Sequence, residues 1–562
     1  MDSMLKIYCK NTQTTKEVPE GSTLLEVLDA FNIEKEYPIV SAKVNNVSQG
    51  LKFRVFRNRD VEFFDISDSS AMRVYTRSLC FLLCKAARDL FPDYKVHITH
   101  SVSNGFFCFL QNREDHKKIL SPSRAVPTLR LRMAEIVTER MQFHRAEIPV
   151  REAIDIFRER GMDDKVKLLE TTGQVYTDFY TLGETPDYYY GRLLPDAGYL
   201  KVWGLEVYND GILLRIPDPK HPNKLAAVGE YPKTLEVFAE DYLWNNYMGL
   251  GNVGDVNLAC QNGEASELIQ VSEALQEKKI VRIAEEINHR HKCEKPVKLV
   301  LISGPSSSGK STFCKRISIQ LKACGLRPMS LSTDDYFVNR VETPLLPDGK
   351  YDFDNFDTVD HEMLQNDLLK LLNGEEVNVP EYNFVTGKRE YNGKHMKLTD
   401  DSILIVEGIH ALNPRLTDKI DEQLKFRIFI STLTSISLDD HNTVPPLDNR
   451  LLRRIVRDYN KGAFSVRETI QQWPSVCEAE MKWIAPYQEN ADMMFNSALL
   501  IEFAVLRSHA EPILASVPKN CPEYSEAHRL LKFLSYFVPV PDKEIPPTSM
   551  LREFIGSSSF TY

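Results

Sequence analysis

A phosphate-binding loop set between a buried strand and a helix constrains this chain more than any other feature. Residues 297–302 (VKLVLI) form a nearly continuous apolar run, which is typical of a strand buried on both faces of a parallel sheet. The sequence GPSSSGKST follows at 304–312 and matches the pattern G-x-x-x-x-G-K-[ST], and a helical pattern comes next. This order of strand, loop and helix predicts a nucleotide-binding unit built on a parallel α/β sheet.

The loop also predicts which residues hold the nucleotide and its metal. Glycines let backbone N–H groups converge on phosphate oxygens, and the start of the following helix adds a favourable dipole. Lys310 is expected to bind the β- and γ-phosphates, and the Ser311 hydroxyl is expected to ligate Mg²⁺. The predicted contacts to the nucleotide are Gly304, Ser306, Ser307, Ser308, Gly309, Lys310, Ser311 and Thr312.

Carboxylates end the next two predicted sheet strands. Asp334 and Asp335 lie in 330–337 (SLSTDDYF), at the end of the expected second sheet strand, and Glu407 ends the apolar run 404–407. Ligands of open α/β sheets sit at this end of the strands, where a carboxylate can take the proton of an attacking hydroxyl. For either aspartate alone, a helix N-cap or a contact with metal-bound water is the alternative interpretation.

Four arginines share one side of a predicted helix at 450–458 (RLLRRIVRD). Arg450, Arg453, Arg454 and Arg457 recur at the i, i+3, i+4 and i+7 spacing. Such a stripe is usually a solvated face or a set of salt bridges. In a phosphoryl-transfer enzyme it can also be a lid that neutralises charge in the transition state.

Length and composition limit the remaining choices. A chain of 562 residues predicts about three or four domains. A net charge of −10 argues against a surface that follows a nucleic-acid backbone along its whole length. No run approaches the ~18–20 apolar residues of a membrane helix, and the first residues lack the apolar core of a signal peptide. We therefore expect a soluble, cytoplasmic protein without a membrane partner.

The ten cysteines lack the spacing of a disulfide scaffold. Cys80 and Cys84 lie one helical turn apart in an apolar stretch, with His97 and His100 downstream. Because the helical pattern alone explains small buried thiols, we interpret these cysteines as reduced core residues and not as zinc ligands.

Residues 297–506 resemble the uridine kinase/phosphoribulokinase family of P-loop kinases and look closest to its uridine–cytidine kinases. The resemblance rests on ordered motifs at 304–312, 332–337, 351–354 (YDFD), 380–384 (PEYNF), 406–409 and 450–458. It implies ATP- and Mg²⁺-dependent transfer of a phosphoryl group to a nucleoside 5′-hydroxyl, in nucleotide salvage.

The resemblance also implies a role for each matching residue. Asp334 would be the general base, Lys310 would carry the phosphates, and Glu407 would hold Mg²⁺ together with Ser311. The remaining roles are contacts to the nucleoside and the lid. Asp354 and Arg450 would bind the ribose hydroxyls, Phe337, Tyr382 and Phe384 would pack around the base, and Arg453 and Arg457 would be the lid arginines.

Because of two departures from the family pattern, the sequence leaves the identity of the acceptor open. Pyrimidine kinases of the family carry a base-reading histidine shortly after the segment that ends here at Phe384, whereas this chain continues with VTGK. Extra sequence at 434–448 precedes the arginine stripe, and it is expected either to reach the acceptor pocket or to form a surface loop. A kinase of another small alcohol or sugar phosphate therefore remains an alternative, as does a nucleotide-switched RNA-binding regulator without turnover.

The first 240 residues resemble the front of threonyl-tRNA synthetases. Residues 1–65 are similar to a TGS domain, a small β-grasp-like fold, with EGST at 20–23 before a helical stripe over 24–31 and with strands expected at 40–44, 53–56 and 61–64. Residues 66–240 resemble the α+β second additional domain, with SNGFF at 103–107 as the best local match. The whole chain resembles a fused bacterial nucleoside kinase.

This resemblance does not extend to the synthetase editing chemistry. Arg77 and Phe81 stand where the first zinc-binding histidine pair is expected, so no tetrahedral zinc site can form and no aminoacyl-tRNA hydrolysis is predicted. RNA binding by this half and assembly into a homo-oligomer are left open. The predicted units are 1–65, a degenerate synthetase-like unit at 66–240, a helical linker at 241–294, the kinase unit at 295–506 and a helical tail at 507–562.

Overall fold

The computed structural model describes residues 3–346 and 349–562 and begins with a mixed five-stranded sheet. Its elements are β1 (Met4–Cys9), β2 (Thr14–Pro19), α1 (Leu24–Phe31), β3 (Ile39–Val44), β4 (Val47–Gln49) and β5 (Arg59–Asp65). The strand order is β2-β1-β5-β3-β4, with β1 and β5 parallel. Thr23 and Glu26 form a capping box that starts α1. The strand expected at 53–56 is wrong, since Arg54 makes only a single bridge with Thr23.

The following segment, up to residue 215, contains two antiparallel sheets around a long buried helix. Its elements are α2 (Ser69–Leu90), β6 (Tyr94–Val102), β7 (Gly105–Asn112), α3 (Pro122–Thr138), β8 (Phe143–Pro149), α4 (Val150–Glu159), α5 (Asp163–Thr172), β9 (Tyr176–Leu182), β10 (Thr185–Asp187), β11 (Gly204–Tyr208) and β12 (Gly211–Arg215). The strand orders are β11-β12-β7-β6 and β10-β9-β8. Cys80 and Cys84 are buried on α2 as free thiols, as the apolar helical pattern predicts.

Three helices connect this half to the rest of the chain: α6 (Pro232–Tyr247), α7 (Val253–Gln261) and α8 (Ala265–His291). The stretch predicted as a helical linker, residues 241–294, also contributes to the hydrophobic core. Ile280, Ile283 and Ile287 of α8 are buried against strand residues of the parallel sheet described next. The helix therefore covers one face of that sheet.

The phosphate-binding loop belongs to a parallel five-stranded sheet. This part of the chain contains β13 (Leu299–Ser303), α9 (Lys310–Ala323), β14 (Arg327–Ser332), α10 (His361–Leu372), β15 (Val377–Asn378), β16 (Glu381–Asn383), β17 (Lys388–Glu390), β18 (His395–Met396), β19 (Ser402–Glu407), β20 (Lys425–Ser431), α11 (Pro446–Lys461), α12 (Val466–Trp483) and β21 (Met493–Asn496). The sheet order is β14-β19-β13-β20-β21, and every pairing is parallel. The predicted fold class, a multidomain α/β and α+β protein with a parallel sheet of the P-loop type, is confirmed.

Burial on both faces explains the apolar composition of β13. Leu299 and Leu301 pack with α10 on one face. Val300 and Ile302 pack with α8 and α9 on the other. Because alternate residues of a strand point to opposite faces, a strand covered on both sides must be apolar at almost every position.

The end of the chain folds back onto this sheet. The remaining helices are α13 (Glu502–Ala515), α14 (Tyr524–Leu534) and α15 (Arg552–Ile555). The boundary predicted after residue 506 falls inside α13, whose residues share one apolar cluster with α4, α5 and α11. A continuous core thus joins the two halves. Among the described residues, no helix is long and apolar enough to cross a membrane.

Residues 434–448 form neither an arm to the acceptor pocket nor a surface loop, so both expectations for this insertion are wrong. The segment inserts into the N-terminal half, where Lys165 is fully buried with its Nζ 3.0 Å from carboxylate oxygens of both Asp187 and Asp439. Asp440 pairs with His97 at 3.2 Å. We call the buried charged group around this insertion the interface cluster: His97, Asp164, Lys165, Asp187, Asp439, Asp440 and His441.

Candidate active site

The predicted strand, loop and helix are all present, and glycines shape the loop between them. A Cβ atom on Gly304 would lie 2.3 Å from the carbonyl oxygen of Ile430, so only glycine fits there. Gly309 precedes α9 with a φ of 87°, in the left-handed region that glycine adopts without steric cost. The buried hydroxyls of Ser307 and Ser308 have no hydrogen-bond partner among the described residues. The loop therefore presents free donors at the start of a helix.

Parallel strand ends bring the predicted charged residues together. Asp334 lies in the short helical turn Thr333–Tyr336 that follows β14, and Glu407 is the last residue of the adjacent β19. The Ser311 hydroxyl donates to Glu407 Oε1 at 3.4 Å. We call Lys310, Ser311, Asp334 and Glu407 the loop site.

Gly408 allows the two strand ends to approach. A Cβ atom at this position would lie 1.8 Å from the Thr333 hydroxyl oxygen, next to Asp334 in sequence. The glycine that follows Glu407 is therefore a packing requirement of this strand edge. It explains why the acid–glycine pair marks the end of β19.

Burial leaves the charges of the loop site incompletely compensated. It raises the pKa of Asp334 to about 6 and that of Glu407 to about 7, against the opposing effect of the Lys310 ammonium. Burial also lowers the pKa of Lys310 itself. The raised pKa values show that Lys310 alone does not compensate the two buried carboxylates. A hard divalent cation prefers carboxylate and hydroxyl oxygens as ligands. The oxygen donors of Ser311 and Glu407 fit such an ion.

Three aromatic rings predicted to surround a base meet beside Asp334. The ring centroids of Phe337 and Tyr382 are 5.5 Å apart, and those of Tyr382 and Phe384 are 5.0 Å apart. Phe384 is 60% exposed, so its ring is available to a ligand. Burial raises the pKa of Asp354. The negative charge of Asp354 in turn raises the pKa of Asp334 by repulsion. The predicted acceptor residues therefore lie next to the predicted base.

His410 is a neighbour of this region that the sequence motifs did not single out. It is buried three residues beyond Glu407, and burial lowers its pKa to about 4, which leaves the imidazole neutral. Its ring packs edge-on against Phe356, two residues after Asp354. A sequence signal existed, because His410 directly continues the motif at 406–409.

Arg453 is placed differently from a lid arginine. Its side chain is fully buried and forms an ion pair with Glu502. Its guanidinium also donates to the carbonyl oxygen of Ser307 at 3.4 Å and to the Ser497 hydroxyl at 3.0 Å. These contacts fix the back of the phosphate-binding loop.

Arg450 has a similar supporting position. It is 2% exposed, pairs with Glu480, and donates to the carbonyl oxygen of Ser306 at 3.3 Å. For Arg450 to make the expected contact with ribose hydroxyls, its ion pair with Glu480 would have to rearrange.

The other two arginines lie closer to the cleft. Arg454 donates to the Ser306 hydroxyl at 3.3 Å, and its charge acts on Asp354. Arg457 contacts Asp458 at 2.9 Å, and its charge acts on Lys310. The sequence marked Arg454 only as part of the stripe, although its contacts are at least as close to the loop as those of Arg457.

Two other places in the molecule have features of a binding site. A cavity of about 1190 Å³ lies between β7 and α6, lined by aromatic rings and by Asp210, Glu230 and Glu236. Among the described residues, no lysine or arginine lines it, so it is unsuited to polyphosphate.

Cys84, Asp187 and His441 present ligand atoms within 4.8 Å of one another in the interface cluster. Asp187 already contacts both Lys165 and His441, and burial raises the pKa of the Cys84 thiol well above its usual value. A metal ion would have to displace both partners of Asp187 and deprotonate this thiol. The loop site remains the better candidate.

Comparison with known proteins agrees with this geometry. Residues 299–500 match the model of the phosphoribulokinase/uridine kinase family. The chain is 31% identical over 197 residues to the uridine kinase of Mycoplasma genitalium, which covers 35% of this chain and 83% of that enzyme. It is 30% identical over 222 residues to the uridine kinase of Vibrio vulnificus, covering 38% and 95%. The chain belongs to the phosphoribulokinase/uridine kinase family through this C-terminal region.

A further relative lies outside the kinase family. The threonine–tRNA ligase of Clostridioides difficile is 25% identical over 204 residues, or 36% of this chain and 31% of the ligase. Among solved structures, a possible uridine kinase from Bacillus stearothermophilus aligns with 38% of this chain and 97% of its own, at 19% identity and a TM-score of 0.28.

Proposed function

We propose that this chain transfers the γ-phosphoryl group of ATP to the 5′-hydroxyl of a nucleoside. The observation that carries the proposal is the position of Asp334, a carboxylate at the same strand edge as the phosphate-binding loop and beside an aromatic acceptor region. Its pKa of about 6 leaves it mostly ionised at neutral pH and basic enough to take a hydroxyl proton. A protein that only binds nucleotide needs no such group.

The loop residues would bind and orient the triphosphate. The backbone N–H groups and free hydroxyls of 304–312 would cradle the phosphates, and the Lys310 ammonium would contact the β- and γ-phosphates. Mg²⁺, when held by Ser311 and Glu407, would neutralise charge on the phosphate oxygens. Arg450 and Arg453 would keep the loop in shape from behind, and Arg454 and Arg457 are the arginines placed to act on the cleft.

The acceptor would lie against the aromatic rings with its hydroxyl at Asp334. Phe337, Tyr382 and Phe384 would pack around the base, and Asp354 would bind ribose hydroxyls. An aromatic wall favours a flat base over a small polyol. The absence of a histidine among the residues just after Phe384 leaves the identity of the base to experiment.

We also propose that the first 240 residues derive from a synthetase-type TGS unit and second additional domain. The tRNA ligase relative and the mixed sheet of residues 4–65 support this origin. The ion pairs of the interface cluster join this half to residues 434–448, which favours a role in bracing the kinase unit.

The direct test measures ADP release by the full chain with Mg-ATP and each of uridine, cytidine, adenosine, guanosine and inosine. We expect turnover with at least one nucleoside and a loss of about 10²–10⁴-fold in Asp334→Asn. The matched control is Asp335→Asn, because the charge of Asp335 is opposed by Lys394 and not by Lys310. ADP release with none of the nucleosides would contradict the proposal and direct the search to sugar phosphates and other alcohols. Tight ATP binding and tRNA retention without any transfer would favour the RNA-binding regulator.

A further inference from the structure

Residues 541–562 return from α14 to the start of α9 and lie against the phosphate-binding loop. Arg552 holds the shape of this segment from within, since its guanidinium donates to the carbonyl oxygens of Asp542 and Ile545, each at 2.7 Å. Phe554 packs under the Arg453 guanidinium at 4.9 Å. The Met550 methyl would lie 2.8 Å from a Cβ atom on Gly309. We call residues 541–562 the strap.

The strap delivers a carboxylate to the donors of Thr312. Glu553 Oε2 accepts hydrogen bonds from the Thr312 hydroxyl at 2.6 Å and from the Thr312 backbone N–H at 3.3 Å. The Tyr562 hydroxyl lies 2.9 Å from the same threonine hydroxyl. The charge of Glu553 acts on both Lys310 and Glu407, raising the pKa of each, so it faces the loop site.

These donors are ones that a nucleotide requires. Thr312 is the last residue of the loop motif and the third residue of α9, where a backbone N–H has no partner within the helix. In loops of this type, the N–H groups at this position cradle the α- and β-phosphates. A carboxylate and a phosphate cannot share them, because each brings negative charge to the same donors.

We propose that the strap is a built-in competitor of the nucleotide, in which Glu553 occupies the α-phosphate end of the loop and must leave when a nucleoside triphosphate binds. This inference rests on the proposed nucleotide site but does not depend on the identity of the acceptor. The strap couples nucleotide binding to its own displacement from Thr312. It also links that displacement to Arg453, which supports the loop and packs on Phe554.

A purely structural interpretation makes the opposite prediction. Gly309 offers no side-chain cap to α9, so Glu553 could simply cap this helix. A cap stabilises the loop, and its removal would weaken or leave unchanged the affinity for nucleotide. A competitor, once removed, lets the nucleotide bind more tightly.

The test is a calorimetric titration of the full chain with a non-hydrolysable ATP analogue and Mg²⁺, with no acceptor present. We expect Glu553→Gln to bind the analogue roughly tenfold more tightly than wild type, since a hydrogen-bonded charge no longer competes. Tyr562→Phe, which keeps the carboxylate, should show a smaller gain. The matched control is Glu544→Gln, which removes the same charge from an exposed position of the strap.

Inorganic pyrophosphate provides a second measurement on the same variants. It carries no nucleoside and can occupy the β- and γ-positions, so its affinity should change much less in Glu553→Gln than that of the ATP analogue. An equal gain for both ligands, or an equal gain in Glu544→Gln, would indicate a general charge effect and overturn the strap proposal.

Failure of the strap and failure of the proposed function give different results. Unchanged or weaker analogue binding in Glu553→Gln, with wild-type binding and nucleoside turnover intact, would overturn the strap alone. Absence of nucleotide binding in both wild type and Glu553→Gln would overturn both proposals. Thermal melting of each variant without ligand shows whether Glu553 additionally stabilises the fold.

Discussion

The loop site and the interface cluster each bury a lysine among carboxylates, and they differ in how completely the charges are paired. In the interface cluster, Lys165 contacts two carboxylates at 3.0 Å and a third at 3.7 Å. Burial alone would raise the pKa of Asp187, but His441 and Lys165 outweigh it and lower the pKa to about 2. At Asp164, which is farther from Lys165, burial and Asp440 still raise the pKa, so the close pairing is that of Asp187 and Asp439. In the loop site, the pKa values of both Asp334 and Glu407 are raised instead.

The difference separates charge used for structure from charge available to a ligand. A buried ion pair whose partners are all present has its desolvation cost offset within the fold. Carboxylates with raised pKa values and a lysine with a lowered one still lack partners, which phosphates and a cation would supply. Substitution at equivalent positions of the two clusters tests this difference.

The largest expected effect is on activity, in Lys310→Met. In the proposed reaction, loss of the ammonium removes a charge placed to act on the transferred phosphoryl group, so we expect kcat to fall about 10³-fold. The melting temperature should be unchanged or slightly higher, because a charge whose pKa is already lowered by burial is replaced by an apolar side chain. Nucleoside phosphorylation and calorimetric melting check the two parts. Lys315→Met, at an exposed position of the same helix, is the control and should leave both unchanged.

The same substitution in the interface cluster should have the reverse outcome. Lys165→Met leaves the carboxylates of Asp187 and Asp439 buried without their cation, and we expect a loss of about 3–5 kcal/mol in the free energy of unfolding. Chemical denaturation measures it. Lys167 is on the same helix as Lys165 and forms a more exposed ion pair with Asp255 of α7. Lys167→Met, which breaks this pair, should cost under about 1 kcal/mol in the free energy of unfolding. Equal losses in the two variants would show that the interface cluster is not a structural charge group.

The contrast also shows what local sequence can reveal. The strand–loop–helix order and the strand-end acids were predictable because parallel strands end at one edge, which places Asp334 beside Glu407 whatever the rest of the chain does. The aromatic residues of the acceptor region follow from the same short-range motifs.

Contacts between distant segments were not predictable in this way. The arginine stripe showed which side of α11 is cationic, but its partner Glu502 lies in α13, so the burial of Arg453 had no local signal. Asp439 meets Lys165, and Glu553 meets Thr312, across more than two hundred residues in each case. Neither pairing leaves a periodic pattern, because each depends on how separately folded units pack together.

A moderate effect is expected from pH at the loop site. In the proposed reaction Asp334 is a base only when ionised, and burial raises its pKa to about 6, so acidification through this value should remove the active form. We expect kcat/KM for the acceptor to fall about tenfold per pH unit below pH 6 and to level off above pH 7. Asp335→Asn should keep this limb but move it to lower pH, because the charge of Asp335 raises the pKa of Asp334. A rate independent of pH between 5 and 7 would contradict the role of Asp334 as a base with a raised pKa.

The smallest expected effect is on the pH dependence of stability, at the edge of the interface cluster. Burial alone would lower the pKa of His97, but Asp440 outweighs it and raises the pKa above 6.5, with Asp164 acting in the same direction and Lys95 against it. His97 in turn lowers the pKa of Asp440 below 3.8, against the effect of burial.

The sign of each shift fixes the pH window in which the pair stabilises the fold. The contribution of Asp440 is present above pH 3.8 and is lost as pH falls through its lower folded pKa. The contribution of His97 is present below pH 6.5 and is lost as pH rises through its higher folded pKa. Wild type should therefore gain about 1 kcal/mol between pH 4 and 6.5 relative to pH 8, and His97→Gln should lose this gain. Urea unfolding across this range measures it, with the exposed His144→Gln as control. An identical pH profile in His97→Gln and wild type would show that the pair does not stabilise the interface, and the paired charges of the cluster would then reduce to the contacts of Lys165 and to the pair of Asp187 with His441.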